Sequence, residues 1–264
     1  MRKCLAAIAL VALVAGFAQA AEDAFPNVAA AYWLGRDGRM IAGAHIHRRL
    51  PMASLAKMMS ALLVFERGDL DRRVSVSRSA ARETGTRLGI RSGERFRVRD
   101  LLEAAIVASA NDACRALADE LGGTAGRFVA LMNRRGDALG LRDTHFADPC
   151  GHDREGQVSS AADLARLGTE VMRQPEYLRF SATASASIST VDGTRSFTFS
   201  NTNALIGRYP GAIGLKSGYT PAAGTCLVAL AERDGVRVLL VMLDARNRWW
   251  AAAGMLDRAF AERP

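Results

Sequence analysis

Lysine is nearly missing from this 264-residue chain. Lys3, Lys57 and Lys216 are its only lysines among 35 basic residues, so arginine supplies positive charge everywhere else. Arginine keeps its proton in proteins, whereas a lysine can be tuned toward neutrality and act as a base. Two of the three fall inside short serine-bearing stretches, P-M-A-S-L-A-K ending at Lys57 and G-L-K-S-G-Y-T around Lys216. Histidine and cysteine are also scarce, at four each. His45-x-His47 lies in a strand pattern with no acidic or histidine partner at ligand spacing, so it reads as two surface histidines, not a zinc site. Past Cys4, the cysteines Cys114, Cys150 and Cys226 allow at most one internal disulfide, and their spacing suits no metal. Cys226 falls in an apolar strand and Cys114 in a helix, each read as a small buried hydrophobe. No cofactor or metal is expected.

Long apolar runs are also lacking, save one. Arg2 and Lys3 precede an apolar stretch over 5–17, and Ala18-Gln19-Ala20 offers a cleavage site, so residues 1–20 read as a signal peptide. The stretch is too short to span a bilayer, and Cys4 precedes it, which argues against a lipid anchor at that cysteine. The mature chain, 21–264, is expected to be exported, soluble and a single domain. Removing Arg2 and Lys3 lowers the formal charge from +8 to +6. No basic run interleaves with aromatics, so nucleic acid is not an expected partner. The arginines read as a scattered, solvated surface. No second domain or membrane-binding tail is expected after the last helical segment.

Periodicity places a hairpin over 32–47, turning at Arg36-Asp37-Gly38, and a helix over 54–66 that is apolar nearly all round and hence buried. Helical spacing recurs over 98–108, 112–121, 125–139 and 161–172. The run 182–190 alternates like an exposed strand. Strands over 225–233 and 236–243 flank Asp234-Gly235, a strong hairpin signal, and a helix over 249–260 closes the chain. Strands at both ends with helices between predict an α/β (α+β) fold, one antiparallel sheet assembled from both termini plus a helical lobe.

Three motifs carry the chemistry. In Ser54-x-x-Lys57 the lysine lies one turn past the serine on the same face, embedded among Leu55, Ala56, Met58 and Met59. Desolvation there lowers its pKa, and a serine needs such a base before it becomes a nucleophile. Ser109-Ala110-Asn111 ends an apolar helix, where a hydroxyl can relay protons and an amide can hold a substrate carbonyl. Lys216-Ser217-Gly218-Tyr219 reads as a strand. Its lysine offers a fixed charge and its serine a hydroxyl for an anionic carboxylate, and an extended substrate can lie alongside.

Together, in this order, the motifs resemble those of the penicillin-interacting serine peptidases and class A β-lactamases. More of the chain resembles the serine D-alanyl-D-alanine carboxypeptidases, the low-molecular-mass penicillin-binding proteins. P-M-A-S-L-A-K-M-M-S-A, L-L-E-A-A-I-V-A-S-A-N-D-A, D-T-H-F-A-D-P-C-G-H, S-S-A-A-D-L-A, N-T-N-A-L and G-L-K-S-G-Y-T-P-A-A-G-T-C-L-V follow in family order, over about 28–260. The resemblance implies a β-lactamase/transpeptidase-like fold, with Ser54 as acylated nucleophile and Lys57 as base. It implies relay and substrate-amide roles for Ser109 and Asn111, carboxylate binding by Lys216 and Ser217, and an oxyanion hole from the backbone N–H groups of Ser54 and Tyr219. Arg248, with Arg246 as near rival, matches a carboxylate-assisting arginine before the last helix. Ser217 replaces the usual threonine. The implied partners are peptidoglycan stem peptides and, as covalent inhibitors, β-lactams. The short form, N-T-N-A-L and V-M-L-D-A lean toward endopeptidase-type members, leaving carboxypeptidase and endopeptidase both open. A β-lactamase would need a deacylating glutamate on a loop, and Glu120, Glu155, Glu170 and Glu176 have no such setting. A non-catalytic wall-binding protein would not need both Ser54 and Lys57.

Overall fold

The computed structural model describes residues 23–261. The signal-peptide assignment falls on 1–20 and lies outside these residues. Among the described residues no helix is long and apolar enough to cross a membrane.

The chain enters a sheet through β1 (Ala29–Arg36) and turns back into β2 (Arg39–Ala44). A 3-10 turn (Ala53–Ala56) runs into α1 (Lys57–Arg67). A small ribbon, β3 (Arg73–Ser75) with β4 (Arg95–Arg97), precedes the helical lobe of α2 (Val98–Val107), α3 (Asn111–Gly122) and α4 (Ala125–Leu139). Next come α5 (Ala161–Val171), α6 (Pro175–Ala182) and a second ribbon, β5 (Ser185–Ser189) with β6 (Ser196–Ser200). The chain then returns to the main sheet as β7 (Ala212–Thr220), β8 (Gly224–Arg233) and β9 (Val236–Ala245), and ends in α7 (Arg248–Ala261).

The main sheet has the order β2-β1-β9-β8-β7 and is antiparallel throughout. Both termini therefore build it, as the element pattern predicts. Strand β8 is buried on both faces. Cys226, Val228 and Leu230 join the core that holds α1 and α5, while Leu227, Ala229 and Ala231 pack toward α7. Alternating side chains thus seal two layers of helix onto one sheet. The order leaves β7 as an edge, next to the 3-10 turn that carries Ser54.

Several expectations need correction. The first hairpin ends at Ala44; His45 takes a positive φ of 49° and, like His47, is exposed beyond the strand. His47 Nδ1 instead lies 2.9 Å from Asp143 Oδ2. The strand expected over 182–190 is shortened by α6, whose start Pro175 marks at the first helical position. Cys114 is not a simple buried hydrophobe: it forms a disulfide with Cys150, and Cys226 remains a buried thiol. Odd-count reasoning left room for this bridge without choosing it. The arginines are not scattered either. Nine of the residues from 72 to 99 are arginine, on and around the β3–β4 ribbon.

Candidate active site

The helix expected to start at Ser54 starts as the 3-10 turn, and α-helical geometry begins only at Lys57. Side chains three residues apart eclipse in a 3-10 turn. Lys57 Nζ accordingly sits 3.0 Å from Ser54 Oγ. Ala53, just before the serine, has a φ of 49°, a conformation that non-glycine residues rarely adopt and that bends the chain sharply into the turn.

Lys57 is fully buried and has two further partners, Asn111 Oδ1 at 2.7 Å and the Cys150 carbonyl at 2.5 Å. Both are acceptors only. A neutral amine has two N–H groups and one lone pair, so donating to these two oxygens turns the lone pair toward the hydroxyl of Ser54. Burial pushes the Lys57 pKa down to about 7, against the pull of Asp148, Glu83 and Asp112. Burial and the hydrogen-bond count therefore both favour a lysine able to take a proton from the serine.

Asn111 opens α3, and Ser109 stands in the gap between α2 and α3 with a φ of 59°. Ser109 thus lies past the helix end, not within its last turn. The Asn111 amide is already engaged at both ends, because Nδ2 donates to the Thr84 carbonyl at 2.6 Å and lies 3.2 Å from His152 Nε2. Its visible task is to hold Lys57 in place.

Strand β7 brings Lys216, Ser217, Gly218 and Tyr219 to the same place. The Ser217 hydroxyl lies 3.0 Å from that of Thr202, whose backbone N–H donates to the Val107 carbonyl at the end of α2. A Cβ on Gly218 would stand 3.0 Å from Ser54 N and from Ala53 Cβ, so only glycine lets the strand lie this close to the turn. Gly151 is tighter still, with a φ of 89° and the Ala53 carbonyl filling the place of its Cβ. Tyr219 is exposed. Lys216 is buried and donates to the Ser217 carbonyl at 2.8 Å. The fixed charge that the sequence suggested is opposed by these surroundings. Burial drives its pKa well down, and the nearby charges of Lys57 and Arg248 push the same way.

Arg248 opens α7 and reaches back to the strand, donating from Nη1 to the Gly218 carbonyl at 2.6 Å and to the Cys226 carbonyl at 3.2 Å. Its rival Arg246 is exposed. Neither Lys216 nor Arg248 has a carboxylate within 4 Å among the described residues. Two buried or half-buried basic groups without an anionic partner form a pair that a carboxylate would complete.

Sequence reasoning missed the support behind Lys57. The Asp148 carboxylate accepts the backbone N–H groups of Cys150 and Gly151 at 2.8 Å each and that of His152 at 3.1 Å. His152 Nδ1 lies 3.1 Å from the same oxygen, and Nε2 lies 3.3 Å from Glu83 Oε2. Burial opposes the Asp148 charge, but the hydrogen bonds and charge of His152 with the backbone donors hold its pKa at about 2. The bond to Asp148 in turn raises the His152 pKa against burial, with Asp148 and Glu83 charge adding to it. This network fixes the loop whose Cys150 carbonyl receives Lys57, and the disulfide ties that residue to α3. The signal was present as D-P-C-G-H, quoted only as part of a resemblance. Among the described residues no cluster of three or more His, Cys, Asp or Glu could hold a metal.

Comparison with known proteins agrees with this geometry. A family model described as D-alanyl-D-alanine carboxypeptidase (peptidase S11) matches residues 19–247. The D-alanyl-D-alanine carboxypeptidase DacF of Bacillus subtilis is 33% identical over 233 residues, covering 85% of this chain and 60% of its own length. A D-alanyl-D-alanine endopeptidase of Pseudomonas aeruginosa is 32% identical over 203 residues, 76% of this chain and 65% of its own. The chain thus spans somewhat less than two thirds of these two relatives. The crystal structure of the Streptomyces K15 DD-transpeptidase superposes with a TM-score of 0.83 at 26% identity, over 89% of this chain and 98% of the other.

Proposed function

This chain belongs to the D-alanyl-D-alanine carboxypeptidase family, and on that footing we propose that it hydrolyses peptidoglycan stem peptides through an acyl-enzyme at Ser54. The observation that carries the reading is the 3.0 Å contact of Lys57 Nζ with Ser54 Oγ, made while two acceptor-only oxygens engage the same amine. Neutral Lys57 takes the hydroxyl proton as Oγ attacks the carbonyl carbon between the two D-alanines. The tetrahedral oxyanion is held by the backbone N–H groups of Ser54 and Tyr219, which Gly218 allows to approach. Collapse breaks the C–N bond, and the leaving amine takes a proton from Lys57 by way of the Ser109 hydroxyl. Water then repeats the sequence on the ester and frees Ser54. Asn111 positions Lys57. Lys216, Ser217 and Arg248 receive the terminal carboxylate, whose charge offsets the burial that disfavours a charged Lys216. β-Lactams acylate Ser54 by the same attack. We further place the mature protein outside the cytoplasm after loss of residues 1–20, since a disulfide such as Cys114–Cys150 persists in an oxidising compartment.

The test is mass spectrometry of the purified protein with an uncross-linked pentapeptide muropeptide and a D-Ala-linked dimer. Loss of one D-alanine from the pentapeptide is expected. Cleavage of the dimer alone would shift the assignment to the endopeptidase reading, which the Pseudomonas relative favours. Ser54→Ala should abolish labelling by a fluorescent penicillin, and a variant that still labels would place the nucleophile elsewhere.

A further inference from the structure

The arginines of 72–99 do two things that a merely solvated surface does not require. In the β3–β4 ribbon Val74 and Phe96 face the core, so Arg73, Arg95 and Arg97 share the opposite, exposed side. Arg73 stands directly across from Arg97. Like charges in register across two strands repel and cost stability. None of the three has a carboxylate within 4 Å among the described residues. Arg72, Arg99 and Arg195 nearby do have such partners, in Glu120, Asp71 and Glu94. Acidic residues are thus within reach of this lobe, and Asp100 feels the charge of Arg97 from the start of α2, yet none of them closes an ion pair on the ribbon face.

The second feature joins this lobe to the active site. Residues 84–90 run from Thr84, which accepts the Asn111 amide, past Thr86, whose carbonyl accepts the Asn111 backbone N–H at 2.7 Å. Asp112 then clamps the backbone N–H groups of Leu88, Gly89 and Ile90. Immediately beyond lies a surface cleft of about 490 Å³ lined by Arg87 and Arg91, both exposed and without a carboxylate partner. Two guanidinium groups in one cleft suit a carboxylate, which each can bind in a bidentate fork.

We propose that this arginine-rich lobe is a docking surface for the peptidoglycan polymer itself, binding free carboxylates of stem peptides next to the one being cut. It rests on the peptidase reading above and extends it from one peptide to the wall. The wall is preferred to other polyanions because the segment that lines the cleft is itself hydrogen-bonded to Asn111 and Asp112, which sets the two arginines beside the site. Only the peptide at Ser54 reacts; the lobe concentrates and orients the rest.

The test measures retention of the full mature protein on purified sacculi stripped of phosphate polymers, in parallel with acylation by a fluorescent penicillin. Arg73→Gln/Arg97→Gln and Arg87→Gln/Arg91→Gln should each lower retention by about tenfold at low ionic strength, an advantage lost in high salt. Acylation should be unchanged. Amidating the sacculus carboxylates should abolish retention of the parent. Undiminished retention in both variants, indifference to amidation, or equal retention on anionic phospholipid vesicles would overturn the proposal. Failure of the parent to take up penicillin would count against the peptidase reading alone, since retention is scored independently.

Discussion

At the scale of single residues, the proposed chemistry turns on Lys57. Its pKa near 7 means that the neutral, proton-accepting form grows as pH rises through that value. The rate of acylation by penicillin should therefore climb across neutral pH and level off above it. A rate that stays flat from pH 5 to 9 would remove Lys57 as the base. Lys57→Arg keeps a cation but loses the lone pair, so acylation should fall by about 10²-fold or more, measured in single-turnover labelling. The sequence exposed this residue because lysine is so rare here and its neighbours are apolar. It carried Asp148 and His152 only as letters of D-P-C-G-H, without their role, which runs through a backbone carbonyl, and it did not show the burial and neighbouring cations that lower the Lys216 pKa.

Elements set the tolerances. The Cβ of Gly218→Ala would press on the backbone of the turn that carries Ser54, at 3.0 Å from its amide nitrogen. Acylation should slow by about tenfold or more, while the melting temperature changes little, because the strain falls on one turn. An unaltered rate would mean that the turn has room to retreat. The Cys114–Cys150 bridge closes a 36-residue separation. Cys114→Ala/Cys150→Ala should cost about 2–4 kcal/mol in denaturant unfolding and slow acylation as well, since the Cys150 carbonyl loses its tie to α3. Most elements could be read in advance: the hairpin at Asp234-Gly235, the helix 125–139 and the buried helix after Ser54 follow from turn chemistry and periodicity. The misses were short and tertiary in origin. The three-residue strands β3 and β4 are too brief for a period to register, and α6 is fixed by packing against β7 rather than by a strong apolar stripe.

For the molecule as a whole, the buried charges set its response to pH. The Asp148 carboxyl titrates at about 2 in the fold, below the ordinary value of 3.8. Its contribution, on the order of 2 kcal/mol, is complete above pH 3.8 and is lost as pH falls through about 2. Asp148→Asn should remove that part of the acid limb in pH-dependent urea unfolding; an unchanged limb would assign acid sensitivity to other carboxylates. Lys57 acts in the opposite range. Its folded pKa lies below the unfolded value of 10.5, so stability gains as pH rises from about 7 toward 10.5.

What β7 offers an extended ligand is mainly its own main chain, on an edge that no other strand of the sheet covers. Drug resistance that arises by amino-acid replacement works through side chains, and it cannot delete a peptide N–H or C=O except by introducing proline. An inhibitor anchored along this edge would leave the target few escapes. Bending the strand away would also withdraw Gly218 from Ser54 and, on the proposed mechanism, forfeit the substrate as well.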